Sequence, residues 1–443
     1  MTTATTRIAE RYLAEQRFGL GRRGDAPPAE GEARDWLRAQ LHAAPLPPAL
    51  RDLARTGPEA LFEPRARKDE ARRAQRVLGW LARYRSESAL RFSVQLASER
   101  PLFERLVLFF SNHFTVSIQK PVVAGLANRF EIEAIRPHLL GRFEDLVLAT
   151  ARHPAMLLYL DNAQSVGPDS RAGRRRERGL NENYARELME LHTLGVDGGY
   201  TQDDVIALAR ILTGWSLQRG RSGPETRYAF RPELHQPGDK TLLGRRYAES
   251  GEDEGIAALT ALARHPATAR HLCTKLAAHF ISDTPPPSLI ARLTRAWQAS
   301  DGELAQVVQA LIEAPEAWAT PLSKLRSPYE FALASLRLTG LAPTPEQILG
   351  GLDALNARPF NAGSPAGDSD AVDALNGSDA LHKRVVWAHR LAQRLPAPAA
   401  PVRFAEAALG PLLGAHTRLA ISRAASASDA LALLLASPEF QRR

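Results

Sequence analysis

Apolar and polar positions alternate with the period of an α-helix along most of the chain, and proline and glycine separate the periodic segments. Several segments begin on a proline that follows a histidine or a short residue, as at His153-Pro154, His265-Pro266 and Ser437-Pro438. Proline fits the first position of a helix and disfavours helix in the residue before it. Each of these pairs therefore predicts that one helix ends and the next begins.

Two segments depart from this pattern. Residues 226–247 alternate apolar and polar positions around Pro237-Gly238-Asp239, which predicts a β-hairpin. Residues 357–377 are rich in Gly, Pro, Asn, Asp and Ser, which predicts a long loop that is either functional or mobile. The predicted fold class is mainly α, a large multi-helix domain with a small β-hairpin insertion at about 226–247.

The same pattern divides the chain of 443 residues into four parts. We predict an N-terminal helical segment over 1–60 and a helical core over 61–345 that carries the hairpin. A long loop over 346–377 follows, and helices in 378–443 pack on the core.

Composition and charge exclude several classes of protein. The formal charge is +8, but it comes from six lysines and 51 arginines that are spread along the whole chain without interleaved aromatic residues. This distribution argues against a specific nucleic-acid site. No apolar run approaches the roughly 18–20 residues that cross a bilayer, so no membrane span is expected. The single cysteine, Cys273, excludes an internal disulfide. The first residues lack a signal sequence, which predicts a cytoplasmic protein.

Residues 181–196, with the sequence NENYARELMELHTLGV, are the most distinctive segment. At 100° per residue, Asn183, Arg186, Glu187 and Glu190 share one face of a helix, and His192 lies about opposite. Two carboxylates one turn apart repel each other unless a positive group lies between them. A metal ion, a shared proton or an arginine would serve, and an arginine would make this face purely structural.

A second polar group comes earlier in the chain. Glu104 lies in a strongly apolar helix, where a carboxylate requires a partner, and His113 and His138 follow it. Inward Glu and His residues build the carboxylate metal sites of helix bundles, but this region lacks their Glu-x-x-His pairs. Glu133 and Arg136 are three residues apart, which predicts an ordinary salt bridge.

The remaining histidines are weaker candidates. His235, with Lys240 nearby in the hairpin, either contacts a ligand or takes part only in the turn. His271, Lys275 and His279 form a stripe on one helix. The two histidines are eight residues and therefore about 12 Å apart, so they cannot share a metal ion, and a polar face is the expected role.

These motifs together resemble the bacterial family called domain of unknown function 1800. The 181–196 segment carries most of the resemblance, which covers roughly residues 5–440. Further matching segments are Phe18-Gly19-Leu20-Gly21, Asn112-His113-Phe114, Arg136-Pro137-His138, His153 to Asp161, Leu212-Thr213-Gly214-Trp215, His235 with Gly238 and Lys240, and His265 to Ala269. The family has no settled activity. Its members are often encoded beside a sulfatase-like family with twin-arginine signals, so the resemblance implies a protein partner and export in complex with it.

Two functions are consistent with the sequence. The first is an enzyme with a polar pocket between helices, in which Glu187, Glu190 and His113 are catalytic. The substrate-binding residues of this hypothesis are Asn183, Arg186, His235 and Lys240. Its metal ligands, for a divalent transition metal, are Glu104, His138, Glu187 and Glu190.

The second function is a non-catalytic partner or escort of a sulfatase-like protein. The same polar residues would then form an internal network that fixes helix packing. Co-export with this partner would bring the chain to the periplasm instead of the cytoplasm.

Overall fold

The computed structural model describes residues 4–24, 31–55, 70–175, 179–218, 227–396 and 398–443. Helices contain 64% of the residues, and the predicted mainly α fold is confirmed. Within the described ranges, no helix is both long enough and apolar enough to cross a membrane. The predicted boundary between residues 60 and 61 falls outside these ranges.

The N-terminal half of the chain consists mainly of helices. Its α-helices are α1 Ala4–Arg17, α2 Ala33–Arg38, α3 Pro48–Arg55, α4 Glu70–Ala97, α5 Pro101–His113, α6 Pro121–Ala124, α7 Ala127–Phe130, α8 Phe143–Arg152, α9 Pro154–Tyr159, α10 Asn183–Glu187 and α11 Gln202–Ile211. Two π-helical turns, Glu131–Ile135 and Leu188–His192, directly follow α7 and α10. Short 3-10 turns are Arg136–His138, Asn162–Gln164 and Gly173–Arg175.

The C-terminal half is also helical after two small sheets. Its α-helices are α12 Glu252–Ala263, α13 Pro266–Phe280, α14 Pro287–Ala299, α15 Leu304–Glu313, α16 Glu316–Ala319, α17 Pro328–Thr339, α18 Pro345–Ala354, α19 Val372–Leu375, α20 Ser378–Arg394, α21 Pro401–Leu409, α22 Ala415–Ser422, α23 Ala427–Ala436 and α24 Pro438–Gln441. Short 3-10 turns are Pro232–Leu234 and Gly410–Leu412.

The predicted junctions at proline are helix starts. α9, α13 and α24 begin on Pro154, Pro266 and Pro438. In each case the preceding residue is the N-cap, and its side chain accepts a hydrogen bond from a backbone N–H of the new helix. His153 and His265 perform this role through Nδ1, so each of these imidazoles carries a lone pair on that atom.

The β structure consists of two antiparallel pairs. β1 Trp215–Leu217 pairs with β2 Tyr228–Phe230, and β3 Lys240–Leu242 pairs with β4 Arg245–Tyr247. The tight turn of the second pair is Leu243-Gly244, where both residues have positive φ as a type I′ turn requires. The sequence centred the hairpin on Pro237-Gly238-Asp239 instead, but Gln236 and Lys240 bond to groups outside the hairpin.

The segment 346–377, predicted to be a loop, begins with α18. Thr344 and Gln347 form a capping box at its start. Two adjacent glycines weaken the helical pattern there, and one of them, Gly351, allows close approach of Trp387. Residues 355–371 contain no helix or strand, and α19 ends the segment. The division into four domains otherwise stays a prediction.

Two apolar cores hold the helices together. The first core draws on residues between Ala14 and Ala317 and includes the apolar faces of α5, α8 and α13. The second contains Leu20, part of α4 and residues from Tyr329 to Phe440, with α20 packed along α23. Residues 355–371 contact the end of α5, so this loop crosses one margin of the first core.

Candidate functional site

Glu104 lies in a buried network of arginines. Both of its carboxylate oxygens accept hydrogen bonds from Arg136, at 3.0 and 2.7 Å. Arg136 Nε also donates to Glu131 at 2.9 Å, and Arg91 Nε donates to the other oxygen of Glu131 at 2.7 Å. Burial opposes ionisation, but Arg91 and Arg136 hold the pKa of Glu131 below its usual value. The partner that the sequence required for Glu104, which was also a predicted metal ligand, is therefore Arg136.

The predicted salt bridge between Glu133 and Arg136 is wrong. Glu133 instead bonds to Arg129 at 2.8 Å and to His153 Nε2 at 3.2 Å. Residues 131–135 form a π-helical turn, which is wider than an α-helical turn. Residues three apart therefore no longer face the same way, and Arg136 turns inward to Glu104.

The carboxylates of the 181–196 segment lie on a half-buried face. Arg186 donates to Glu182 at 3.3 Å and to Gln202 at 2.8 Å, and its Nη1 lies 3.8 Å from Glu190. Burial and the neighbouring Glu190 raise the pKa of Glu187. Asn183 is exposed. The predicted shared face exists, with Arg186 beside its carboxylates.

The four predicted metal ligands do not form a ligand group. Glu104 is bound to Arg136, Glu187 and Glu190 lie on α10 and the turn after it, and His138 is half-buried in a 3-10 turn. Burial lowers the pKa of His138. Across the described residues, no three His, Cys, Asp or Glu side chains are arranged to hold a metal ion.

His235 and Lys240 lie together, as predicted, but with a buried glutamate that the sequence did not reveal. Lys240 Nζ donates to Gln236 O at 2.6 Å and to His235 Nε2 at 3.3 Å, and it pairs with Glu254 at 2.7 Å. His235 Nδ1 donates to Thr213 O at 2.7 Å. Lys240 thus makes two hydrogen bonds and one ion pair, which ties the loop before β3 to α12.

Two surface cavities flank this loop. One, of about 230 Å³, is lined in part by His235, Phe230 and Arg171. The other, of about 370 Å³, is lined in part by Lys240 and Arg210. His235 and Lys240 already bind protein groups. They therefore form fixed walls of these cavities and do not move to contact a ligand.

His113 belongs to a different cluster, on the inner side of the 181–196 segment. Its Nε2 donates to the backbone oxygen of His192 at 3.1 Å, and the two ring centroids lie 6.0 Å apart. His271 of α13 donates through Nε2 to the oxygen of Leu191 at 3.2 Å, with its ring 6.4 Å from His113. We call His113, His192, His271 and Lys275 the basic cluster.

Three polar groups of the basic cluster have no partner. His113 Nδ1 and His192 Nε2 are buried and make no hydrogen bond with any described residue. Lys275, half-buried on the same face of α13 as His271, makes no hydrogen bond or ion pair with the described part of the chain. Burial lowers the pKa of His192 to about 3 and of Lys275 to about 8, and that of His113 well below its usual value.

The loop 355–371 lies beside the basic cluster. Asn112, next to His113, exchanges two hydrogen bonds of 2.8 Å with the backbone of Asp368. Two residues later, Asp370 accepts a hydrogen bond from His279 Nδ1 at 2.5 Å. The stripe His271, Lys275 and His279 on α13 therefore faces inward, toward α5 and this loop.

The sequence profile of the family described as "Protein of unknown function (DUF1800)" matches residues 14–442, nearly the whole chain. The chain belongs to this family. No curated protein and no solved structure has significant similarity to it. The family description assigns no activity, so the function of this DUF1800 protein has to be argued from its own residues.

Sequence reasoning missed four residues of this DUF1800 protein that the fold brings to its sites. They are Glu254, His271, Lys275 and His279. The signal for the last three was present, because a stripe of polar residues at i, i+4 and i+8 in an otherwise apolar helix can face inward as well as outward. Only the partners contributed by α5 and the 188–192 turn decide between these two orientations.

Proposed function

We propose that this DUF1800 protein is an enzyme that transfers a proton at the basic cluster, with His113 as the proton acceptor. The observation that carries the proposal is the buried Nδ1 of His113, which makes no hydrogen bond with a described residue. The other ring nitrogen donates to a backbone oxygen, which fixes both the tautomer and the ring orientation. A neutral imidazole with one fixed donor and one free acceptor is the form that accepts a proton in general base catalysis.

The surroundings of His113 support this role. Phe114 contacts the ring edge-on at a centroid distance of 4.6 Å, and Phe109 lies parallel to it at 6.2 Å. These aromatic side chains hold the imidazole away from water, which increases the strength of electrostatic interactions with a bound substrate. Lys275 and His271 are half-buried and connect the cluster to the surface.

Glu187 and Glu190 lie apart from His113, so their predicted roles are treated separately from proton transfer. Glu187 and Glu190 lie on the half-buried face beside Arg186, whereas His113 contacts the inner, buried end of the same segment. We therefore propose His113 as the base and retain Glu187 and Glu190 as predicted residues of the outer face. The substitution Glu187→Gln tests them independently.

The enzyme proposal can be tested without a known substrate. Purified wild-type protein and the His113→Gln variant are incubated with a bacterial metabolite extract, and metabolites are followed over time by mass spectrometry. We expect wild-type protein to consume at least one metabolite in more than stoichiometric amount, and the variant to do so about 100-fold or more slowly, as for loss of a general base.

A matched control is His382→Gln, which changes an exposed histidine on α20. It should turn over the metabolite at the wild-type rate. The thermal unfolding of all three proteins is compared first, so that loss of turnover is not confused with loss of fold. Equal turnover by wild-type protein and a folded His113→Gln variant, or no turnover by wild-type protein, overturns the proposal.

Export with a sulfatase-like partner stays a prediction from the sequence. Its test is affinity purification from a cell that encodes both proteins, followed by fractionation of periplasm and cytoplasm. Recovery of the partner together with a periplasmic location supports the escort function and the periplasmic prediction. A cytoplasmic protein without that partner contradicts both.

A further inference from the structure

Lys275 is a cation without a counter-ion among its described neighbours. On α13, Lys275 lies one helical turn after His271, whose ring lies 6.4 Å from that of His113, and the rings of His113 and His192 lie 6.0 Å apart. None of these rings carries a negative charge. Half-burial removes part of the water around the ammonium group without an ion pair to replace it, which favours binding of a group of opposite charge.

The carboxylate whose charge acts on Lys275, that of Asp370, already binds other cationic groups. Asp370 accepts a hydrogen bond from His279 and lies 3.5 Å from Lys324 Nζ and 3.9 Å from Arg443 Nη2. Its charge acts on Lys275 only at a distance. One carboxylate is therefore shared among several cationic groups, and it leaves the ammonium of Lys275 available.

We infer that Lys275 binds an oxyanion, a carboxylate or phosphate group of the substrate, at the entrance to the basic cluster. This inference rests on the proposed function and names its substrate class. The ammonium supplies the counter-charge to the bound group, and the substrate reaches inward from it toward His113. A neutral substrate would leave Lys275 unpaired in the complex as well.

The pH dependence of binding has a definite sign. The ammonium form binds the anion, so affinity is highest below about pH 8 and decreases as Lys275 loses its proton at higher pH. Burial lowers the pKa of His113, His192 and His271 from a value already below 8, so these rings are neutral where Lys275 loses its proton. Asp370 stays ionised, since its pKa is lowered by His279 and Lys324 against the opposing effect of burial.

The test measures the reactivity of single lysines. The chain has six lysines, and acylation by limiting acetic anhydride at pH 8 is mapped by peptide mass spectrometry. Inorganic phosphate and succinate are the two probes, with chloride at equal ionic strength as the reference. We expect one of them at about ten times its Kd to slow acetylation of Lys275 about tenfold, because only the free protein reacts.

Lys383 is the internal control, since its side chain on α20 is 39% exposed and paired with Asp379. Its acetylation rate should not change. Equal rates for Lys275 in all three salts, or equal protection of Lys275 and Lys383, overturn the inference. Dialysis with radioactive phosphate or succinate gives a second measurement, in which Lys275→Arg should retain binding and Lys275→Met should lose it.

The two proposals fail in different ways. Turnover of an uncharged metabolite, without protection of Lys275 by either anion, would overturn the substrate class and leave proton transfer by His113 standing. Protection of Lys275 without turnover would support the anion site and overturn the enzyme.

Discussion

The buried imidazole of His192 sets a pH limit on the stability of the fold. Burial, together with Lys275 and His271, lowers its pKa to about 3. The folded chain thus keeps His192 neutral at pH 5, where a histidine of the unfolded chain is protonated. Because the unfolded state then binds more protons, the contribution of His192 to stability is fully present well above pH 6.5 and is lost as the pH falls below it.

We predict that the lowered pKa of His192 alone decreases the free energy of unfolding by about 2 kcal/mol when the pH falls from 7 to 5. The measurement is urea denaturation of wild-type protein and His192→Gln at both pH values. The variant should lose about that much less stability on acidification, although His113 and His279 add a dependence of the same sign. His382→Gln, on the surface of α20, should behave like wild type. If the free energy of unfolding of His192→Gln depended on pH as that of wild-type protein does, the lowered pKa of His192 would be contradicted.

For single residues, the sequence predicted that polar side chains are buried but not the groups to which they bind. Glu104 in its apolar helix required a partner, and it has one. The identity of that partner, Arg136, depended on a π-helical turn that a count of 100° per residue does not contain. Lys275 was missed for a related reason, since its surroundings come from three elements far apart in sequence.

Among the secondary-structure elements, the turn over residues 188–195 provides the backbone oxygens that bind two histidines of the basic cluster. The last carbonyl groups of a helix lack backbone partners, and here those of Leu191 and His192 accept hydrogen bonds from His271 and His113. Gly195 ends the turn with φ of 86°, and a Cβ on it would lie 2.7 Å from His271 Nδ1. Glycine is therefore required there for conformation and for space.

Gly195→Ala should destabilise the protein and displace His271. The positive φ costs about 1–2 kcal/mol for any residue with a Cβ, and the contact with the imidazole adds to it. Gly199 in the same loop is the matched control, because its φ is 80° and a Cβ would meet no atom within 4 Å. Denaturant unfolding should give a larger loss for Gly195→Ala than for Gly199→Ala. Equal losses would show that the His271 contact has no energetic importance.

Much of the element order could be predicted because proline and capping residues act locally. The starts of α9, α13 and α24 follow directly from an N-cap residue and a proline. The hairpin segment was also predicted, but its turn was not, because a type I′ turn at Leu243-Gly244 gives a weaker sequence signal than Pro237-Gly238. α18 was missed because two adjacent glycines weaken the helical signal, and one of them, Gly351, gives space for Trp387 of α20.

On the scale of the whole molecule, buried charges join the two apolar cores. Arg105 belongs to α5 in the first core, and its Nη1 donates to Glu330 of α17 in the second core at 2.5 Å. Arg443 approaches the other oxygen of Glu330 at 3.4 Å. Burial opposes ionisation, but Arg105 and Arg443 lower the pKa of Glu330 to about 2. This carboxylate therefore fixes how the two cores meet.

Glu330→Gln should destabilise the whole protein by about 3–5 kcal/mol, because two buried guanidinium groups lose their counter-charge while the residue keeps its shape. The same substitution at Glu346, an exposed residue in the first turn of α18, should change stability much less. Urea denaturation at pH 7 compares the two variants with wild type. The effect of Glu330→Gln should shrink as the pH falls from about 4 toward 2, where about half of the wild-type Glu330 is itself protonated. A loss no larger than that of Glu346→Gln would mean that apolar packing alone holds the two cores together.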